Sequence, residues 1–188
     1  MGVPTVTQHF RNGNTVYDSV YPVVPAFNLT DQDSTTVTPQ TFEGKIYVAD
    51  FIFLSCPTIC PKMTANMLRI YDHFKNDNRV NFLSHTIDPR NDTIPKLKAY
   101  TNSLKITDKK WRFVTGNQDT IFRLAEKGYY VAAGKDSTDP GNYIHSGGLL
   151  LVDQQRHVRG LYNGTNKEEM EHLIKDIQIL LKEDSGRP

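Results

Sequence analysis

The sequence predicts an α/β fold, a central mixed sheet flanked by helices with an extra hairpin near its N-terminus. Three observations predict it. Short apolar, β-branched runs alternate with helix-periodic segments along most of the chain. The last two strand signals are joined by a turn through Asp153-Gln154-Gln155-Arg156, which marks an antiparallel hairpin. A length of 188 residues at 38% hydrophobic content suits one well-cored domain and is short for two.

The elements follow in order. The first twenty-odd residues are polar, with Asn12-Gly13-Asn14 as a turn signal, and read as a flexible lead-in over 1–24. Phe27-Asn28-Leu29 is a short strand that pairs with Thr35-Thr36-Val37-Thr38 across Asp31 to Ser34. Ile46 to Leu54 is apolar enough for a central strand covered on both faces. A cysteine loop comes next, then a helix carrying Met63, Met67, Ile70, Tyr71 and Phe74. Val80 to Ile87 is a second core strand, and Ile94, Leu97, Tyr100 and Leu104 mark a helix with Pro95 in its first turn. Trp111 to Thr115 is a third strand, followed by a short helix with Ile121, Leu124 and Ala125. After a loop over Gly134 to Asn142, Leu149 to Val152 and Val158 to Tyr162 form the closing hairpin. Thr165 to Glu168 has the form of a capping box and opens a last amphipathic helix. This is the element order of a thioredoxin-type fold with one extra helix, occupying 25–184.

Charge and composition narrow the function. A net charge of +1 argues against a nucleic-acid binder, which needs a basic excess to neutralise phosphates. No apolar run is long enough to span a bilayer, and the N-terminus has neither the apolar run nor the cleavage site of a signal peptide. A cytosolic protein and a domain separated from its anchor both fit.

The two cysteines lie four positions apart in Ser55-Cys56-Pro57-Thr58-Ile59-Cys60-Pro61. So close a pair closes almost no loop and constrains the unfolded chain little, so its role is chemical rather than structural. Pro61 suits the start of a helix, and the residue before a proline avoids the α region, which makes Cys60 the expected N-cap. A sulfur there faces unpaired amides and the positive end of the dipole, so its thiolate is favoured. Two thiolates with an imidazole select Cu(I), or Zn(II) if a fourth ligand is present. Among His9, His73, His85, His145, His157 and His172, the helical His73 and His172 read as solvated, His85 as a hydrogen-bonded core residue and His157 as exposed. His145 stands just before the strand at Leu149, a segment that passes beside the cysteine loop in a thioredoxin-like fold. Met63 and Met67 have the spacing of core residues rather than of thioether ligands.

Several stretches together resemble the Sco/SenC (PrrC) family. They are Phe51 to Pro61 with its C-x-x-x-C-P element, Ile87-Asp88-Pro89-Arg90-Asn91-Asp92-Thr93, His145-Ser146 before an apolar strand, and Tyr162-Asn163-Gly164-Thr165 before the closing helix. The likeness runs from about residue 10 to 182. It implies a copper-binding protein that supports assembly of the copper site of cytochrome c oxidase, with Cys56, Cys60 and His145 as ligands and copper carried as Cu(I), Cu(II) or both. It also implies a copper-bearing oxidase subunit or another copper chaperone as partner. A membrane anchor ahead of the lead-in would hold the domain on the periplasmic side of the inner membrane. Asp88 is expected to support the ligands from behind, whereas Asp92 or Thr93 is expected to cap the next helix. One departure is Ile144, where family members often carry an acidic residue before the histidine, which puts the orientation of His145 and the local charge in question.

The rival expectation is a thiol–disulfide oxidoreductase in which Cys56, the more exposed thiol if Cys60 caps the helix, attacks and Cys60 resolves. A peroxidase of peroxiredoxin type shares the fold but has no Thr-x-x-Cys setting here.

Overall fold

A computed structural model describes residues 5–11, 14–135, 143–145 and 147–185; the side chains of 5–20, 133, 135, 143–145 and 184–185 lie outside that description. The elements are β1 (Thr5–Arg11), β2 (Asn14–Val20), β3 (Leu29–Asp31), β4 (Thr36–Val37), β5 (Ile46–Ile52), α1 (Cys60–His73), β6 (Val80–Thr86) and α2 (Ile94–Ser103). They continue with β7 (Trp111–Thr115), α3 (Gln118–Arg123), β8 (Ala133–Lys135), β9 (Tyr143–His145), β10 (Gly148–Val152), β11 (Val158–Asn163) and α4 (Lys167–Ser185).

Seven strands form one mixed sheet in the order β11-β10-β5-β6-β7-β3-β4. β5, β6 and β7 run parallel through the centre, and β10 and β3 flank them antiparallel. Every residue of β5 and β6 is buried, as continuous apolar strands covered on both faces require. On one face Tyr71 of α1 and Tyr100 of α2 pack on Phe82, Trp111 and Phe113. On the other, Tyr129 meets Phe51 and His85 edge-on, and its hydroxyl lies 3.2 Å from that of Tyr47. The expected N-terminal hairpin is β3 paired with β4, added to the open edge beside β7. Asp31 of that hairpin ion-pairs with Arg112 of β7.

Three local features differ from expectation. Within the expected lead-in, β1 and β2 pair with each other antiparallel; the Asn12-Gly13 turn signal lies outside the described residues, apart from Asn14 at the start of β2. The short third helix continues as a π-helical turn over Leu124–Gly128. At the start of α4, the Asn166 side chain accepts the Glu168 N–H at 2.8 Å, while the Thr165 hydroxyl donates to Asn163. Asn166 thus takes over the capping expected of Thr165, because Asn163 has already engaged the threonine.

Candidate metal centre

The cysteine loop leaves the carboxyl end of β5 and runs straight into α1. The last ladder bond from β6 is Ile87 N–H to Ile52 O at 2.9 Å, after which the chain turns away from the sheet. Cys56 N–H donates to Phe53 O at 3.2 Å, which closes the turn. Ile59, with helical φ −90° and ψ −33°, is the N-cap of α1, and Cys60 is its first residue. The expectation that Cys60 caps the helix is therefore corrected. The Cys60 N–H donates to Cys56 Sγ at 3.5 Å, and this bond lets the helix begin one residue earlier than the steric bias before Pro61 favours.

The sulfur that collects the helix amides thus belongs to Cys56. Burial opposes its ionisation, but the backbone N–H groups of Cys60 and Thr58, with the Cys60 thiol and Thr58 hydroxyl, overcome this and pull it down to about 6. Cys60 goes the other way. Burial pushes its thiol well above the ordinary cysteine range, and the neighbouring Cys56 and Asp50 add to the effect. Both cysteines are free and 5% exposed; the hydrogen bonds that reach Cys56 Sγ outweigh its burial, whereas burial prevails at Cys60. The arrangement favours a thiolate at Cys56 beside a thiol at Cys60.

Asp50 lies beneath this pair on β5, opposite Ser84 of β6, and is 1% exposed. Neither carboxylate oxygen has a hydrogen-bond partner. Burial pushes its carboxyl up to about 7; the Ser84 hydroxyl, which accepts the Trp111 indole N–H at 2.9 Å, lies near the carboxyl without meeting hydrogen-bond geometry and offsets this only in part. Sequence reasoning missed Asp50, although a charged residue inside an otherwise apolar strand is a visible signal. His85 reaches the Asp50 carbonyl with Nδ1 at 3.1 Å, and burial holds it down to about 4, so it is a neutral core histidine as expected. His157 is half-buried 3.5 Å from Asp153 rather than exposed. Met63 and Met67 are fully buried core residues.

The Asp88 segment sits close behind the loop. Asp88 is 3% exposed, and its carboxylate accepts the Asn91 side-chain amide at 2.8 Å. Asp92 does not cap α2. Thr93 holds the N-cap position without a side-chain bond, and the Asp92 carboxylate turns instead to Leu54 N–H at 3.1 Å and the Thr86 hydroxyl at 2.5 Å. A buried hydroxyl and a half-buried amide at the base of the cysteine loop outcompete a helix terminus that water can solvate.

His145 ends β9 opposite Ala133, and its side chain lies outside what the structure describes. The backbone two residues on packs against the cysteine loop. A Cβ added to Gly147, whose φ is +62°, would meet Ile59 Cδ1 of the cysteine loop at 3.3 Å. Gly147 O accepts Gly164 N–H at 2.8 Å, and Gly164 O accepts the Asn66 side-chain amide of α1 at 2.8 Å. This strap holds the segment after His145 against the loop and the helix that carry the cysteines. Among the described residues, no three His, Cys, Asp or Glu side chains come together as a metal site. The loop itself contributes the two sulfurs of Cys56 and Cys60, whose softness suits Cu(I).

A family model described as SCO1/SenC matches residues 17–182. The chain is 30% identical over 168 residues to a SCO1 protein homolog of Bacillus subtilis, covering 88% of this chain and 86% of that one. The crystal structure of a SCO1/SenC family lipoprotein from Bacillus anthracis superposes with TM-score 0.79 at 29% identity, covering 86% of this chain and 96% of that one. BsSco, described as a member of the Sco family of cytochrome c oxidase assembly proteins with a disulfide switch, superposes with TM-score 0.76 at 28% identity, covering 90% and 98%. Sco proteins solved with copper bound share the fold. These solved relatives have the thioredoxin-like architecture expected from the element order. With a match that extends through the sheet, the cysteine loop and the closing helix, the chain belongs to the SCO1/SenC family.

Proposed function

We propose that this chain is a copper metallochaperone that binds copper through Cys56, Cys60 and His145 and supports assembly of the copper site of cytochrome c oxidase. The observation that carries the proposal is the reduced dithiol loop at the carboxyl end of β5, with Cys56 drawn down to about 6. Cys56 offers a thiolate at neutral pH, and Cys60 gives up a proton when a metal arrives. The strap through Gly147 keeps the His145 segment near the loop, which supports an imidazole as third donor. Three ligands leave coordination space that a partner's sulfurs can enter, which suits transfer rather than storage. Asp88 supports the site from behind the loop, where its charge tunes the ligands.

The partner is a copper-bearing oxidase subunit or another copper chaperone, and the ion is carried as Cu(I), Cu(II) or both. Residues 25–184 act as the thioredoxin-like domain. The lead-in ties it to a membrane anchor, a reading supported by the description of the Bacillus anthracis relative as a lipoprotein, and the anchored domain faces the periplasmic side.

One observation favours a second activity. A thiolate at Cys56 beside a high-pKa Cys60 is the asymmetry of an attacking and a resolving thiol, so thiol–disulfide exchange on partner cysteines is the alternative. Anaerobic copper titration of wild type and His145→Ala separates the two. The chaperone reading expects about one copper per chain, with affinity reduced about 10-fold or more in the variant. Unchanged Cu(I) and Cu(II) binding in His145→Ala would overturn the three-ligand site, and exchange rates that survive the substitution would favour the oxidoreductase.

A further inference from the structure

The segment between β6 and α2 folds back beneath the point where the cysteine loop leaves the sheet. Parallel pairing of β5 with β6 ends at Ile52 and Thr86, so Leu54 N–H has no ladder partner on β6. Asp92 Oδ2 accepts it at 3.1 Å. The same oxygen accepts the Thr86 hydroxyl at 2.5 Å, and Thr86 Oγ in turn accepts Asp88 N–H at 3.0 Å. The Asp92 N–H closes the ring on Asp88 O at 2.9 Å. Thr86, Asp88 and Asp92 are 1%, 3% and 2% exposed, and Leu54 is half-buried, so the carboxylate and its Thr86 and Asp88 partners are shielded from water.

Two features set this carboxylate apart from ordinary turn chemistry. The helix terminus beside it goes without a side-chain cap, so Asp92 is not serving α2. Its partner Leu54 lies two residues before Cys56, at the pivot that decides where the first sulfur lands relative to the Cys60 N–H. A carboxylate oxygen fixed by one donor from the end of β6 and one from the turn after β5 is a rigid reference for that pivot. We propose that Asp92 is a positioning residue for the dithiol, holding the exit of the chain from β5 and thereby the aim of Cys56 toward Cys60. Its effect on metal binding rests on the copper reading above; its effect on the cysteine pair does not.

The test uses Asp92→Ala and Asp92→Asn in the whole chain, with two readouts. One is Cu(I) affinity by anaerobic competition, and the other is the equilibrium constant of the Cys56–Cys60 disulfide in a dithiothreitol redox buffer. Asp92→Asn keeps an oxygen acceptor for both donors and is expected to stay near wild type in both. Asp92→Ala is expected to weaken copper about 10- to 100-fold and to shift the disulfide equilibrium about tenfold. An Asp92→Ala protein that melts earlier yet keeps both values would show a purely structural role and overturn the proposal. So would an Asp92→Asn protein as impaired as Asp92→Ala. If wild type binds no copper, the copper reading fails while the disulfide equilibrium still decides the role of Asp92. Should Asp92→Ala not fold, Thr86→Val removes one donor from the same oxygen. A smaller shift of the disulfide equilibrium in the same direction is then expected, and none would overturn the proposal.

Discussion

Cys56 is the residue on which the chemistry turns. Its sulfur, and not that of Cys60, takes the helix amide. The sequence made both thiols visible but assigned the cap to the wrong one, because the pre-proline bias says nothing of a sulfur four residues upstream that can accept the same N–H. With Cys56 near 6, alkylation of the reduced protein by iodoacetamide is expected to follow a titration centred near pH 6, with Cys60 reacting only at much higher pH. Peptide mapping after brief labelling at pH 7 checks this, and equal labelling of the two cysteines would contradict it. Asp50 yields a prediction of stability. Its folded pKa of about 7 lies above its unfolded value, so its contribution is fully present below the unfolded pKa and lost as pH rises through 7. That loss is about 4 kcal/mol at most, taking 1.36 kcal/mol per unit. Asp50→Asn is therefore expected to flatten the decline in urea-unfolding free energy between pH 5 and pH 8. A decline as steep as in wild type would show that Asp50 is not its source.

At the scale of elements, the sequence located β5, α1, β6 and β7 well, because apolar runs and helical periodicity are local signals. It could not show what joins them. Asn66, Gly147 and Gly164 lie far apart in sequence, and their strap appears only once α1, β10 and β11 are assembled. The same holds for Asp92, whose spacing fits a helix cap and whose partner Leu54 lies 38 positions away. β8 and β9 were hidden in a polar loop, since three-residue strands carry too little periodicity to read. The strap makes its own prediction. Gly147→Ala places a side chain at positive φ and 3.3 Å from Ile59 Cδ1, so a loss of about 1–2 kcal/mol is expected in chemical denaturation. Asn66→Ala leaves the Gly164 carbonyl without its amide and is expected to cost about 1–3 kcal/mol by the same measurement. A neutral result for both would mean that the strap does not hold the His145 segment to α1.

For the molecule as a whole, the fold brings a dithiol, a buried carboxylate and the segment bearing His145 to one end of the central parallel strands, and the fold class was legible because strand and helix signals alternate in order. The site was only half legible. Cysteine spacing announces reactive sulfur, whereas a third ligand rests on tertiary placement. Proton accounting links site and fold. With Cys56 already ionised and Cys60 protonated, Cu(I) binding at pH 8 is expected to release about one proton per chain, measurable by calorimetry in buffers of different ionisation enthalpy. Release of two would mean that the paired amides do not hold Cys56 as a thiolate. The most direct test of the central claim is X-ray absorption spectroscopy of the Cu(I)-loaded protein. The account predicts a copper shell of two sulfurs and one imidazole nitrogen, with the nitrogen lost in His145→Ala. A shell without sulfur, or one unchanged by that substitution, would contradict it.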